Sequence, residues 1–464
     1  MKRIISLFLC LLLVFGLVSC KNGNNNTNAN SNNGSSNLTS SEDDKTSSGS
    51  DVTSSEDETS SDSPTSSDKT SSSDKTSSSD KTSSSNTSSK VEELLPVVVN
   101  ANPAYKKTDD AILTKAQLDK ALATKYVKPK NVILILGDGM GVNDIELARR
   151  FSDFKFDYGL TMLQLPNIGT MTTNSLDGTT DSAAAATALS TGVLTYNGAV
   201  GVGKDKKPLK NVSEYAREQG KRVGLISTDA LTTSTQAGFS VHTDSRYNSN
   251  EILSGFVDFS ADILVGPGSY SQISNAVAGN STLKAKLDRI SFAANFSEFE
   301  AKFKADPKCE KPFIGCHTYE LVSGNYDLAK TAQLALDRLE NDKGFFLMVE
   351  NGGCDAAGHE NAINAKVVNP AILDKVVAVA VKYCMENPDT LLIVTSDHET
   401  GGVLMPKKAD YTLKDVKFTS SGHTNQDVKV MAMGYGTEYF KNKKIDITDI
   451  GKFIIAAVQG KQYK

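Results

Sequence analysis

The sequence has no apolar run long enough to cross a membrane comfortably, no stripe of basic residues, and only five histidines in 464 residues. Each shortage narrows the reading. The one strongly apolar segment, Ile4 to Val18, is too short for a transmembrane helix and follows the positive cluster Met1-Lys2-Arg3, which is the layout of an export signal. With 50 Lys and Arg against 55 Asp and Glu, and a formal net charge of -5, nothing argues for a nucleic-acid-binding surface. The scarcity of histidine makes His242, His317, His359, His398 and His423 informative wherever they stand near acidic residues.

Cysteine is sparse too, at six. Cys10 falls inside the signal segment. Cys20 closes Leu17-Val18-Ser19-Cys20, a small residue before a cysteine at the end of an apolar run. This resembles the lipobox of bacterial lipoproteins, in which the cysteine is acylated and becomes the new N-terminus; the alternative is an ordinary signal peptide that happens to contain Cys20. Cys309, Cys316, Cys354 and Cys384 remain. Cys309 and Cys316 are close enough for a local disulfide, with four free thiols as the alternative.

From Lys21 to about Lys90 the chain is nearly all Ser, Thr, Asn, Asp and Lys, with Asp68, Asp74 and Asp80 six residues apart. Such a segment has no apolar surface to bury and reads as disordered, and a repeat unit without apolar residues cannot stack into a solenoid. As a flexible coil of about 70 residues it would hold its ends about 45 Å apart. It carries a net charge of -5, which leaves the rest of the chain close to neutral. The expected organisation is a signal peptide over 1–19, a tether over 20–90 and a globular domain over 91–464. That domain would sit outside the cytoplasm, held to the membrane by lipid on Cys20.

The globular part, about 370 residues, is large enough for a substantial core. Short apolar runs at Asn131 to Leu136, Arg222 to Ser227, Phe345 to Val349, Leu391 to Thr395 and Val428 to Met433 predict strands. Most are continuous rather than alternating, as in a parallel sheet covered on both faces. Helical patterns lie between them, at Asp109 to Lys125, Tyr326 to Glu340 and Ile372 to Met385. The predicted fold class is α/β, a central, largely parallel sheet flanked by helices on both faces.

Acidic groups gather at the ends of these strands. Asp138 follows the first, Glu350 ends the third, and Asp397 with His398 follows the fourth. Open α/β sheets place ligand sites along that edge, and three such carboxylates argue for a metal. Asp355 and His359 are four apart, so a helical turn would put them on one face, able to grip one ion. His423 lies in Ser421-Gly422-His423-Thr424. Each pair alone has a plainer reading as a solvated helix face or a turn. Ser182 is ambiguous in the same way. Thr180-Asp181-Ser182 runs into the helix-forming stretch Ala183 to Leu189, so Ser182 is a nucleophile at a helix N-terminus that suits phosphate, or it is a simple cap.

Taken together the motifs decide between these readings. Gly137-Asp138-Gly139-Met140-Gly141, Thr180-Asp181-Ser182-Ala183-Ala184, Ser190-Thr191-Gly192 with Tyr196-Asn197-Gly198-Ala199, Glu350 with Asp355 and His359, Asp397-His398, and Gly422-His423-Thr424 resemble the alkaline phosphatase family, in that family's order, from roughly Asn131 to the C-terminus. The resemblance implies a site for two zinc ions and one magnesium. It would place Asp355, His359 and His423 on the first zinc, and Asp138, Asp397, His398 and Ser182 on the second. Magnesium would fall to Asp138, Glu350 and Thr235. It implies attack on phosphorus by Ser182, a phosphoserine intermediate, and Arg246 as the clamp on two phosphate oxygens. The implied substrates are small-molecule phosphomonoesters, and many members of the family are homodimers.

The chain departs from the pattern at two places. Thr233 stands beside the magnesium where some members have a carboxylate or histidine, and Ala356 follows Asp355 where several have Lys, His or Trp, which implies weaker product binding. His242 and His317 receive no catalytic role. The alternatives to a monoesterase are a phosphodiesterase or phosphotransferase of the same superfamily, and a non-catalytic surface-binding lipoprotein. The nucleophile motif of sulfatases, with nearby Pro and Arg, is not present at Asp181-Ser182-Ala183-Ala184.

Overall fold

The computed structural model describes residues 112–153, 155–318 and 327–463. The chain divides into Met1–Lys81 and Thr82–Lys464, and everything described belongs to the second unit. The signal peptide, Cys20 and the tether expected at 20–90 lie outside the described residues. So do the start of the helix expected at Asp109–Lys125 and Tyr326 at the start of another.

Ten strands form one sheet: β1 (Asn131–Gly137), β2 (Asn167–Thr172), β3 (Arg222–Ser227), β4 (Ile263–Val265), β5 (Ser291–Ala293), β6 (Phe313–Gly315), β7 (Phe345–Asn351), β8 (Thr390–Thr395), β9 (Val428–Met433) and β10 (Lys444–Asp446). Their spatial order is β10-β2-β9-β8-β1-β7-β3-β4-β6-β5. Every neighbouring pair is parallel except the two that β9 makes, with β8 and β2. The apolar run at Val428–Met433 reports that both faces of the strand are buried, and burial alone does not carry direction.

β1 shows why the run is continuous. Its seven residues are all buried, but their side chains alternate between two cores. Ile133 and Ile135 join the cluster under the helices Lys115–Ala123, Val142–Phe151, Leu328–Leu339 and Ile363–Glu386. Val132, Leu134 and Leu136 join the cluster under Ser182–Thr191, Val212–Glu218, Ser249–Phe259 and Ile447–Val458. The helix expected from Ile372 begins at Ile363 and runs through Pro370. The helix thus starts nine residues before the expected Ile372, and packing against the Val142–Phe151 and Leu328–Leu339 helices outweighs the backbone bond lost at Pro370.

The stretch 247–326, in which no motif is legible, supplies β4, β5 and β6 at one sheet edge. Cys309, Cys316, Cys354 and Cys384 are buried free thiols, so the four-thiol alternative is the one the structure takes.

One turn positions everything that follows. After β1 the chain reverses at Gly139, which has φ +66, and a Cβ there would lie 2.6 Å from the Asp355 Cα. Only glycine meets both demands without strain. Gly139→Ala is therefore expected to destabilise the domain by about 1–3 kcal/mol from the backbone conformation alone, with the clash adding to it. Urea unfolding of the metal-free protein measures this, and a variant as stable as the parent would contradict the constraint.

Candidate metal centre

The carboxyl ends of β1, β7, β3 and β8 are adjacent in the sheet and deliver Asp138, Glu350, Asp229 and Asp397 to one place. Three groups of side chains have ligand atoms within 4.8 Å of one another: Asp355, His359 and His423; Asp138, Asp397 and His398; and Asp138, Asp229 and Glu350. Asp138 serves two of them. The first two are contiguous, since the His398 and His423 rings stack with centroids 3.7 Å apart. His242 and His317 belong to none of these groups. His242 is held by the Gly201 carbonyl at Nδ1 and by Glu214 at Nε2.

The hydrogen-bond network turns each histidine toward the centre. His359 Nδ1 lies 2.7 Å from the Ser421 carbonyl and His423 Nδ1 lies 2.8 Å from the Thr180 carbonyl. A carbonyl can only accept, so Nδ1 carries the proton and Nε2 presents a lone pair, the arrangement metal-binding imidazoles use. Both Nε2 atoms face Asp355, at 3.3 and 3.4 Å. His398 Nε2 faces Asp397 Oδ2 at 3.2 Å and Asp138 Oδ1 at 3.5 Å.

Acceptors thus converge on acceptors. Asp138 Oδ1 and Asp397 Oδ2 are buried with no hydrogen-bond partner among the described residues, and the buried Glu350 carboxylate is met by the Ser227 and Thr235 hydroxyls. Orphaned buried carboxylate oxygens are costly unless a cation sits among them. The donor sets fit such cations: nitrogen and oxygen ligands of the kind zinc takes in the two histidine-containing groups, and oxygen alone, suited to magnesium, in the third.

The proton affinities of these groups follow from the crowding. Burial, with Asp397, Asp355 and Glu350 charged beside it, holds the Asp138 carboxyl well above its usual range. Burial and the Asp229 charge push Glu350 up to about 8. Burial and Asp355 push Asp397 to about 7, and the same two causes lift Asp229 to about 6. Asp355 goes the other way. Burial works to raise it, but the imidazoles of His423, His398 and His359 gathered round it, with the Thr400 hydroxyl donating to Oδ1, hold it well below the carboxylate range. Burial and His423 keep His398 well below the usual imidazole value, so its ring is neutral.

Ser182 opens the helix Ser182–Thr191, and the capping role that its sequence position allows is taken by its neighbour. Asp181 is the N-cap and accepts from the Ala184 N–H at 2.9 Å. The Ser182 hydroxyl is left to face the centre, 3.2 Å from His398 Nε2. The other Asp181 oxygen accepts from the Gly198 N–H at 2.9 Å and from Arg246 Nη1 at 2.8 Å. One carboxylate therefore caps the helix and aims the arginine, and the backbone N–H of Arg246 is tied to the Gly198 carbonyl.

Thr235, in the short helix Ser234–Gly238, is buried with its hydroxyl facing Glu350. The expected residues Asp138, Ser182, Arg246, Glu350, Asp355, His359, Asp397, His398 and His423 all converge. Asp229 is the one that sequence reasoning missed. It stands two residues past the end of β3, so the strand-end rule that singled out Asp138, Glu350 and Asp397 covers it as well.

Fold and site together define a class: an α/β protein with a cluster of candidate divalent-metal sites beside a helix N-terminus. The model of the alkaline phosphatase family matches residues 129–264 and 318–414. The chain is 34% identical over 308 residues to alkaline phosphatase 4 of Bacillus subtilis, which spans 62% of this chain and 65% of that protein. It is 30% identical over 326 residues to alkaline phosphatase 3 of the same organism, which spans 67% and 70%. Among solved structures, a variant of the TAB5 alkaline phosphatase with Mg bound in its M3 site superposes with a TM-score of 0.61 and 26% identity, over 73% of this chain and 100% of that one. The chain belongs to the alkaline phosphatase family.

Removing metal should expose the repulsion among the carboxylates. Glu350, Asp397 and Asp229 have folded pKa values above their unfolded ones, so the native state holds more protons than the unfolded state between about pH 4 and pH 8, and stability falls as pH rises through that window. The melting temperature of chelated protein is expected to drop from pH 5 to pH 8 and to recover at pH 8 on adding zinc and magnesium. A flat profile, or no recovery, would contradict the site as described.

Proposed function

We propose that the protein hydrolyses phosphate monoesters through a phosphoserine at Ser182 and releases inorganic phosphate. The single observation that carries this reading is the placement of a free serine hydroxyl at a helix N-terminus. It faces His398 at 3.2 Å, with Arg246 held over the same helix end by Asp181.

The chain's own groups divide the work. The N-terminus of the Ser182–Thr191 helix favours a dianionic phosphoryl group. Arg246 is fixed through Nη1, which leaves the rest of its planar fork for two phosphate oxygens. A monoester has those oxygens to spare and a diester has one fewer, which favours monoesters. The Ser182 oxygen attacks phosphorus and the bond to the alcohol breaks; water then takes the phosphoryl group from Ser182, with the second displacement reversing the geometry of the first. Zinc in the two histidine-containing groups and magnesium in the carboxylate group would supply the Lewis acidity that lowers the serine pKa and neutralises the departing oxygen.

The same reading places the enzyme outside the cytoplasm on a lipid at Cys20. Cys20→Ser is expected to abolish incorporation of labelled fatty acid into the protein, read by metabolic labelling with palmitate; undiminished labelling would reject the anchor.

The test of the activity is direct. The protein loaded with zinc and magnesium should turn over a phosphomonoester at alkaline pH far faster than a phosphodiester. Ser182→Ala should lose at least about a thousandfold in kcat, the scale on which removal of a nucleophile acts. Hydrolysis of neither ester, or undiminished turnover by Ser182→Ala, would reject the mechanism. A preference for the diester would favour the phosphodiesterase alternative.

A further inference from the structure

Position 233 falls beside the magnesium in the family pattern, and here it is a threonine whose hydroxyl is turned away, to the Ala230 carbonyl at 2.7 Å. The carboxylate that reaches the third group comes from four residues earlier, at Asp229. Its backbone is pinned by donation from its N–H to Ser227 Oγ at 2.8 Å. Its side chain occupies space that Gly352 leaves open, since a Cβ at 352 would stand 1.9 Å from Asp229 Oδ1. Gly352 is held there in turn by donation from its N–H to Thr228 Oγ1 at 2.9 Å.

Proximity of acidic groups alone would not make a ligand site. The second observation is the state of their oxygens. Asp138 Oδ1 is buried, aimed into that space and without a hydrogen-bond partner among the described residues, and the fully buried Glu350 carboxylate faces the same space with the Ser227 and Thr235 hydroxyls beside it. Thr235 faces Glu350 from the side, in a position to orient it.

We propose that Asp229 is a direct ligand of the third site, so that Asp138, Asp229 and Glu350 form an all-carboxylate site for a hard divalent cation, magnesium, independent of position 233. This rests on the hydrolase reading above. Three anionic oxygen donors and no nitrogen suit magnesium rather than zinc. The carboxylate absent at 233 is supplied from the end of β3 instead. Thr235 becomes a positioning residue for Glu350 rather than an indispensable ligand. The competing role for Asp229 is to orient Arg246, whose charge also reaches it.

The experiment compares Asp229→Asn, Thr235→Ala and Gly352→Ala with the parent, all loaded with zinc, by calorimetric titration with magnesium chloride. Asp229→Asn is nearly isosteric and removes a repelling charge, so it should fold, and its chelated form should melt no lower than the parent. Its magnesium Kd is expected to rise by roughly tenfold or more, with zinc content unchanged. Gly352→Ala, which displaces the carboxylate without removing it, should weaken magnesium as well, and Thr235→Ala should do so less than Asp229→Asn. Unchanged magnesium affinity in Asp229→Asn overturns the proposal, and so does that result accompanied by a raised inhibition constant for phosphate, which would assign Asp229 to Arg246. A parent enzyme that hydrolyses no phosphomonoester would instead defeat the functional reading.

Discussion

Four carboxylates, Asp138, Asp229, Glu350 and Asp397, are crowded at the carboxyl edge of the sheet, three of them buried and Asp229 half-buried, and Asp138 and Asp397 each keep an oxygen without a hydrogen-bond partner among the described residues. Left to themselves such groups would move apart, take up water or hold protons. They stay because each is attached to the end of a hydrogen-bonded strand whose neighbours fix its register. Leu136 pairs with Thr395 on one side and with Glu350 on the other, and Glu350 pairs in turn with Ser227. The sheet is the frame that withstands the repulsion, and cations are what the frame is shaped to receive. Most features near the site can be understood as ways of holding this unstable charge in place.

The loop after β1 is held from below by a buried ion pair. Lys366 donates to the Gly139 carbonyl at 3.0 Å and to Asp144 at 2.9 Å, and Asp144 accepts from the Gly141 N–H at 2.8 Å. Lys366 and Asp144 have no solvent exposure. A buried pair of this kind adds little net stability, but it fixes a geometry that no apolar substitute could reproduce, because both partners bond to the same backbone turn. Above the loop, Asp397 accepts from the Gly139 N–H at 3.1 Å and Ser396 Oγ accepts from the Met140 N–H at 3.0 Å. The turn that carries Asp138 is thus bonded to the turn that carries Asp397 and His398, so the two halves of one ligand set cannot drift independently.

How much of this the sequence disclosed depended on whether the signal was local. β1, β3, β7 and β8 were legible as continuous apolar runs, and their ends identified Asp138, Glu350 and Asp397. Asp229 lies at an equivalent place, one residue removed from its strand as Asp397 is, but a Thr-Asp-Ala context makes it look like an ordinary turn, and its placement depends on the neighbouring strand bringing Gly352 alongside. The direction of β9 was invisible because burial on two faces is the same for either sense. β4, β5 and β6, at three residues each, are too short for any periodicity to register. Ser182 was undecidable locally, since cap and nucleophile demand the same residue at the same helix end.

Around Ser182 the structure shows a division of labour reaching well beyond the helix. Asp181 takes the capping bond and also aims Arg246, while the Thr180 carbonyl, one residue further back, fixes the tautomer of His423. Three successive residues therefore hold a histidine of one ligand group, Arg246 and the Ser182 hydroxyl, from an extended segment leading into a fully buried helix. That helix is buried on all sides and packs closely against two glycines: a Cβ at Gly451 would stand 2.5 Å from the Ala188 carbonyl, and one at Gly238 would stand 2.7 Å from the Ala186 Cβ. Small residues let the helix sit deep enough for its N-terminus to meet the strand ends. The Ala-rich stretch after Ser182 thus answers a packing demand, and the position of the Ser182 hydroxyl at the strand ends depends on it through depth rather than contact.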